Sequence, residues 1–401
     1  MKILQKARIR FLETSERFVL ADPARRKRWG VPRVIETSTP RWFRANRAEL
    51  EASGVRLRMV GDRAPIHTAL PRCLNGTPSP TWSWAVDWTP QDRFCLELPD
   101  ARLIFEPWRC SSAVLAPGGA ILHDVLPIFF HQARTHPARS AVRLGEPVRL
   151  PGKSFLLLND ANSNFYHWMC DVLPRLEIAR RAGHRLEDFD WFITDELSQA
   201  FHRETLAALG IPEAKIFVGT RHRFITAEHL VATSLYDKSG MVHRESLAFV
   251  ADAMRARFGI EGDAPGSRRI FVSRQEGYYR RIVNWGDIEP LLREHGFEVV
   301  ASERLGMDQQ TRLFSEAGHV IAGHGAGLTN LMFCRPGTRV LEMLHEKWGH
   351  SMYWLTAAKR GLDYTLMKTE PAGKRKAEID DMLVDPEPLR AYLEQTCGPR
   401  P

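Results

Sequence analysis

HVIAGHGAGLTNLMFCRPGTRVLEML, residues 319–344, places an apolar run, a turn with glycine at 323, 325 and 327, and a second apolar run in succession. HVIAG reads as a buried strand, LTNLMFC as a helix opening near Leu328, and RVLEML as the next strand. A glycine-rich turn between strand and helix can cradle phosphate. The N–H groups and dipole of the helix start attract an anion, and glycines let the main chain come close to it. The same glycines can instead serve close helix packing. Their spacing is GxGxG, not the GxGxxG of dinucleotide enzymes. Glu342, at the end of the second strand, is either a ribose ligand or a surface carboxylate.

Alternation of strand and helix extends in both directions from this stretch. Downstream, 351–361 reads as a helix and 362–368 as a strand. Upstream, RIFVSRQ (269–275) and FEVVAS (297–302) read as strands, with helices over 285–296 and 307–318. A second alternating run precedes these. KSFLLLND (153–160), FDWFITDE (189–196), KIFVGT (215–220) and HLVATSLY (229–236) are strand-like. Helices fall over 164–183 and 198–210, the latter closed by Gly210. A linking helix covers 244–258, and EGDAPGSRR (261–269) marks the junction between the runs. Such repetition implies parallel sheets covered by helices, with ligands at the carboxyl ends of the strands. Residues 113–150 read as a small β-rich lead-in. Further upstream, TWSWAVDW sets Trp82 and Trp84 on one face of a short strand, as core or as a sugar-stacking surface.

With 401 residues, 44% of them apolar and 26% charged, the chain has room for two domains and a sizeable core. A net charge of +8 suits an anionic partner: a nucleotide, a nucleic acid, an acidic glycan or an anionic membrane. The charge is dispersed and no aromatic-basic recognition module is present, which argues against nucleic acid. Six scattered cysteines without a CxxC pair point to free thiols in a reducing compartment. The N-terminus, MKILQKARIRFLETSERFVL, carries basic residues throughout and lacks the apolar centre of a secretory signal. No stretch nears the roughly 20 apolar residues of a spanning helix. The expectation is a cytoplasmic protein whose basic N-terminus is a solvated helix or a peripheral contact on the inner membrane face.

Two further stretches carry candidate chemistry. In FVSRQEGYYRRIVN, Arg274 follows a strand directly, and Arg280 and Arg281 lie on the loop beyond it. Guanidinium groups bond the oxygens of a diphosphate in pairs, although in a basic protein they can equally be solvated. In NFYHWMCDVLP, His167 and Asp171 are four apart and share a helical face. They can form a base with its orienting partner, or a packed histidine beside a carboxylate that favours the helix dipole. Pro174 makes the start of that helix uncertain. HEKWGH spaces His345 and His350 five apart, which breaks the zinc-protease pattern. Asp188 and Asp190 form a DxD that precedes a strand instead of following one, and reads as a loop.

These three elements, in this order, resemble glycosyltransferase family 61. Its pattern runs N-Y/F-x-HW-x-x-D-x-LPRL, then a strand ending in SR, then RR-L/I-x-N-E, then HGAGLTN-x-x-F-x-x-PG-x-x-V-x-E. The matching positions are Asn164, His167, Trp168, Asp171 and Leu173–Leu176, then Ser273, Arg274, Arg280, Arg281, Ile282 and Asn284, and then His324–Asn330, Phe333, Pro336, Gly337, Val340 and Glu342. Trp285 stands where the family has glutamate.

The resemblance implies an α/β fold of GT-B type, two facing Rossmann-like domains behind a β-rich extension. The extension would cover 1–110, the acceptor domain 111–262 and the donor domain 263–401. It implies an inverting transfer of sugar from a nucleotide-sugar donor, UDP-linked, to a glycan or lipid-linked glycan, without a metal or other cofactor. Asp171 is then the base, assisted by His167, with Asn164 and Trp168 on the acceptor side. Ser273, Arg274, Arg280, Arg281, Asn284, His324, Gly325, Ala326, Gly327, Asn330 and Glu342 would hold the donor. Two other readings stay open: an NAD-dependent oxidoreductase, and an inactive nucleotide-sugar binder or assembly subunit, for which Trp285 is the motivating observation.

Overall fold

A computed structural model of the chain describes residues 32, 34–106, 111–127, 136, 138, 144–262 and 266–397. The basic N-terminus with its membrane-contact expectation, Cys110, and residues 263–265 of the expected junction lie outside the described residues. The fold is mixed α/β, and contacts divide it into two units, 1–62 with 92–237 and 63–91 with 238–401. The breaks expected at 110 and 262 fall elsewhere. Strand Phe94–Glu106 runs within the sheet of the first unit, and helix Arg244–Arg257 belongs to the second.

The first unit holds a sheet of nine strands among the described residues. Val148–Leu156 pairs in parallel with both Phe224–Thr233 and Trp191–Thr194, and Ile216–Val218 continues the parallel half. Helices on both sides bury such strands, which explains the unbroken apolar run in KSFLLL. The other half is antiparallel: Phe94–Glu106 pairs with Phe224–Thr233, with Ser111–Leu115 and with Arg56–Met59. The expected β-rich lead-in is thus part of this sheet. Leu96, Leu103, Phe105, Leu156, Ile193 and Leu230 pack together at its core.

The second unit is built on a parallel sheet ordered Glu298–Val300, Arg268–Val272, Ala317–Gly323, Arg339–His345, Asp363–Pro371. The chain alternates strand and helix through it, as the sequence pattern implies. Gly361, with φ 71°, ends helix Met352–Arg360 in the left-handed conformation that glycine adopts at low cost. Strand Arg72–Cys73, from far upstream, adds to the Asp363–Pro371 edge. The 3-10 helix Pro80–Ala85 runs into TWSWAVDW and replaces a strand over Trp82 and Trp84. With about three residues per turn, Trp82 and Trp84 leave on different sides. Trp82 is buried and stacks flat on Trp354, centroids 5.4 Å apart, whereas Trp84 is exposed.

Five described cysteines, Cys73, Cys95, Cys170, Cys334 and Cys397, are free thiols. Among the described residues no helix is long and apolar enough to cross a membrane.

Candidate active site

Three neighbouring strands of the second unit carry candidate residues, two of them at their carboxyl ends and the third, Glu342, in mid-strand instead of at the expected end. Ser273 and Arg274 follow Arg268–Val272, His324 and Gly325 follow Ala317–Gly323, and Glu342 lies in Arg339–His345. The helix after the glycine turn spans Ala326–Phe333 and is 3-10, with Leu328 N–H donating to the Gly325 carbonyl at 2.9 Å. Its first N–H groups have no partner within the helix. Gly325 is extended, φ 170°, a conformation open to any residue. Glycine is required there for space, because a Cβ would collide with the Arg274 guanidinium. At Gly323 it would meet Met382 Cε at 2.8 Å, and at Gly327 Ser302 Oγ at 2.9 Å. The glycines thus serve close packing, and what they admit is an arginine lying against the turn.

Arg274 and Arg280 share a small pocket with Gly323 and Met382. The Nε of each arginine is buried and, among the described residues, without a hydrogen-bond partner. Burial lowers the Arg274 pKa, and burial with the neighbouring Arg274 charge pushes Arg280 down to about 10. Both remain charged at neutral pH. Buried donors left unpaired beside a like charge favour an anion in the pocket. Arg280 also has a positive φ of 60°, a strained conformation for a non-glycine residue that costs on the order of 1–3 kcal/mol. Its guanidinium sits 4.8 Å from the Trp348 ring centroid and 5.1 Å from that of Tyr279. The loop that aims it is tied at its base by Gln275, whose Nε2 donates to the Ile282 carbonyl at 3.0 Å.

His324 is buried against Trp348 and Tyr353, with ring centroids 4.5 and 4.9 Å away. Its Nδ1 is hydrogen-bonded to one oxygen of Glu342, and the Tyr364 hydroxyl donates to the other. Glu342 is fully buried with both oxygens engaged, so it orients His324 and is not placed as a ribose ligand or surface carboxylate. Burial holds the His324 pKa below its ordinary value against the pull of Glu342, and Arg280 and Arg274 add to the depression. Burial, with Glu342 next, raises that of Tyr364. Tyr364, Trp348 and Tyr353 were not legible as site residues, since each sits in a stretch that reads simply as strand, loop or helix.

In the first unit, the helix expected over 164–183 is three pieces: Phe165–His167, a π turn Trp168–Val172, and Arg175–Arg181. Pro174 has no N–H to offer the carbonyl four residues back, and Leu173 N–H reaches Trp168 at 3.0 Å instead. His167 and Asp171 do meet, with His167 Nδ1 2.7 Å from Asp171 Oδ2. Their side chains are 24% and 4% exposed. The imidazole is the member open to a substrate and the carboxylate stands behind it. Of the expected pair, Asp171 is therefore the less accessible member.

Residues 165–341 match the family model described as Glycosyltransferase 61. Over this stretch, less than half of its length, the chain is similar to glycosyltransferase family 61. Two rice proteins (Oryza sativa subsp. japonica) are similar to part of the chain. Beta-1,2-xylosyltransferase RCN11 is 26% identical over 189 residues, 41% of this chain and 35% of its own. Beta-1,2-xylosyltransferase XAX1 is 29% identical over 167 residues, 37% and 29% respectively. The match thus spans about a third of the length of these curated relatives.

Other residues of the three motifs make contacts within the fold. Trp168 is fully buried, its Nε1 donating to Thr205 Oγ1 at 2.8 Å, so it cannot face an acceptor. Asn164 caps its helix through Oδ1, which accepts from Tyr166 N–H at 2.9 Å. Arg281 is paired with Asp381 at 2.8 Å, away from the cationic pocket. Asn284 is bonded both ways to the Val384 backbone, and Ser273 Oγ accepts from Gln275 N–H. Asn330 braces the turn by donating to Gln310 and to the Gly327 carbonyl. Trp285 packs 5.0 Å from Phe271, so the departure from the family glutamate is absorbed by the core. The DxD is not simply a loop: Asp188 ends the 3-10 helix Leu186–Asp188 and accepts from Arg185 N–H, while Asp190, in the bend before strand Trp191–Thr194, accepts from Lys153 N–H.

The turn yields a direct test. Gly325→Ala should evict Arg274 from it, cutting affinity for UDP, the ligand expected from the sequence, at least tenfold while far-UV circular dichroism stays unchanged. A crystal structure or titration showing Arg274 and affinity undisturbed would refute the close-approach argument.

Proposed function

We propose that the chain is an inverting glycosyltransferase that moves a sugar from a nucleoside-diphosphate donor, UDP-linked, to a hydroxyl of a glycan acceptor. The observation that carries this reading is the pair of half-buried arginines, Arg274 and Arg280, which line one pocket with Gly323 and whose buried Nε donors have no partner among the described residues. The diphosphate leaves with negative charge on its terminal phosphate. Two guanidinium groups, His324 and the N–H groups at the Ala326 helix start would stabilise that charge, so the residues supply what a metal supplies in other transferases. His167, held in one tautomer by Asp171, would remove the acceptor proton as the sugar carbon is attacked. The names of the rice relatives favour xylose as the first sugar to try.

Thermal-shift screening against UDP, UDP-xylose, UDP-glucose, UDP-N-acetylglucosamine and NAD tests the donor reading, followed by hydrolysis of the best binder. Stabilisation by a UDP-sugar with release of UDP is the expected result. Stabilisation by NAD alone would overturn it, and UDP binding without hydrolysis or transfer would favour a binding-only protein.

A further inference from the structure

His324 lies close enough to Arg274 and Arg280 to feel their charge, and a phosphate held by them changes what its imidazole can offer. In the neutral imidazole of His324, the Nδ1 hydrogen is committed to Glu342, and Tyr364 occupies the other oxygen of that carboxylate. Nε2 is then a lone pair, an acceptor, and a phosphate oxygen offers it nothing to accept. Only the imidazolium presents an N–H to the diphosphate while keeping its bond to Glu342. Resting on that donor-site reading, we propose that the site binds its nucleoside diphosphate together with a proton taken up by His324, with Glu342 and Tyr364 as the positioning residues that hold the resulting imidazolium.

The charges around the ring make this balance. Glu342 and Tyr364 face it from the sheet, Arg274 and Arg280 from the loop after strand Arg268–Val272, Tyr353 from the helix beyond, and Trp348 and His350 from the connecting segment. Empty, the site carries Arg274, Arg280 and Glu342, and a third cation on His324 would be repelled by both guanidinium groups. A diphosphate between them reverses that field and draws a proton onto the buried imidazole. Arg280, though lowered to about 10, is already charged at neutral pH and contributes no uptake there. Tyr364, pushed further up, stays neutral and keeps donating.

The sign is fixed by linkage. The bound-state pKa of His324 lies above the free-state one, so affinity is full below the free pKa and falls as pH rises through the window between them, by about tenfold per unit.

UDP-xylose is the probe, because its two phosphates do not titrate near neutrality. Calorimetric titration of the full chain at pH 7.5 in Tris and in HEPES, whose ionisation enthalpies differ, should report uptake approaching one proton. Between pH 6.5 and 8.5 the Kd should rise at least tenfold. His324→Gln supplies an N–H without a proton, and should bind with no buffer dependence and a flat pH profile. Tyr364→Phe leaves Glu342 a stronger base, raises the free pKa of the imidazole, and should move the falling limb to higher pH with less uptake at 7.5. Tight binding by the wild type with equal enthalpies in the two buffers would overturn the proton coupling and leave the donor reading intact. So would uptake that persists in His324→Gln. Failure to bind both UDP and UDP-xylose would overturn the donor reading and the coupling with it.

Discussion

His167→Gln should lower turnover by about 10²–10⁴-fold while Kd for UDP changes less than twofold. The glutamine amide can still donate to Asp171, so thermal stability should stay near that of the wild type, but no base remains for the acceptor proton. Asp171→Asn should fall in the same range for a different reason. An amide facing Nδ1 no longer selects the tautomer that leaves Nε2 basic. The reading rests on exposure: the 4% exposed carboxylate is screened from a substrate by the imidazole 2.7 Å away. A His167→Gln enzyme with near-normal transfer, measured with saturating donor and acceptor, would return the base to Asp171 or elsewhere.

Arg274→Ala should cost about 10²–10³ in the rate of UDP release and about ten- to hundredfold in UDP affinity. Arg274→Lys should recover little, since an ammonium lacks the planar fork that meets two oxygens. Stability should hold or rise, because the substitution removes a half-buried cation whose buried Nε bonds to nothing among the described residues. Arg281→Ala is the matched control. Its side chain is half exposed and paired with Asp381, and its loss should leave UDP affinity within about threefold. Equal losses from both substitutions would indicate a general electrostatic effect and remove Arg274 from the diphosphate site.

How much of this was legible depends on the range of the interaction. The strands and helices of the second unit follow from local periodicity, which is why HVIAG, RVLEML and LDYTLMK read correctly. The approach of His167 to Asp171 is likewise local, one helical turn. Roles that hang on distant partners were not legible. Arg280 and Arg281 are neighbours with the same chemistry, and what separates them is Asp381, a hundred residues on, together with the positive φ that turns Arg280 inward. Glu342 reads as a ribose ligand until Tyr364, on the next strand, is seen to complete its shell. Period-two tryptophans in TWSWAVDW mimic a strand, and Pro174 concealed a π turn that changes which carbonyl is satisfied but not which side chains meet.

The second unit is not a contiguous gene segment. Residues 63–91 belong to it, and they carry more than a stray strand. Leu74 N–H bonds the Leu366 carbonyl at 2.7 Å, the Asn75 amide grips both backbone groups of Lys368 at 2.8 Å, and Trp82 fills the face of Trp354. A fragment beginning at residue 238 would therefore expose an unzipped sheet edge and a bare indole. Dissection of the protein for expression, or exchange of specificity between relatives by recombination, must carry this upstream piece along. A single crossover point between the candidate donor and acceptor machinery does not exist in the chain.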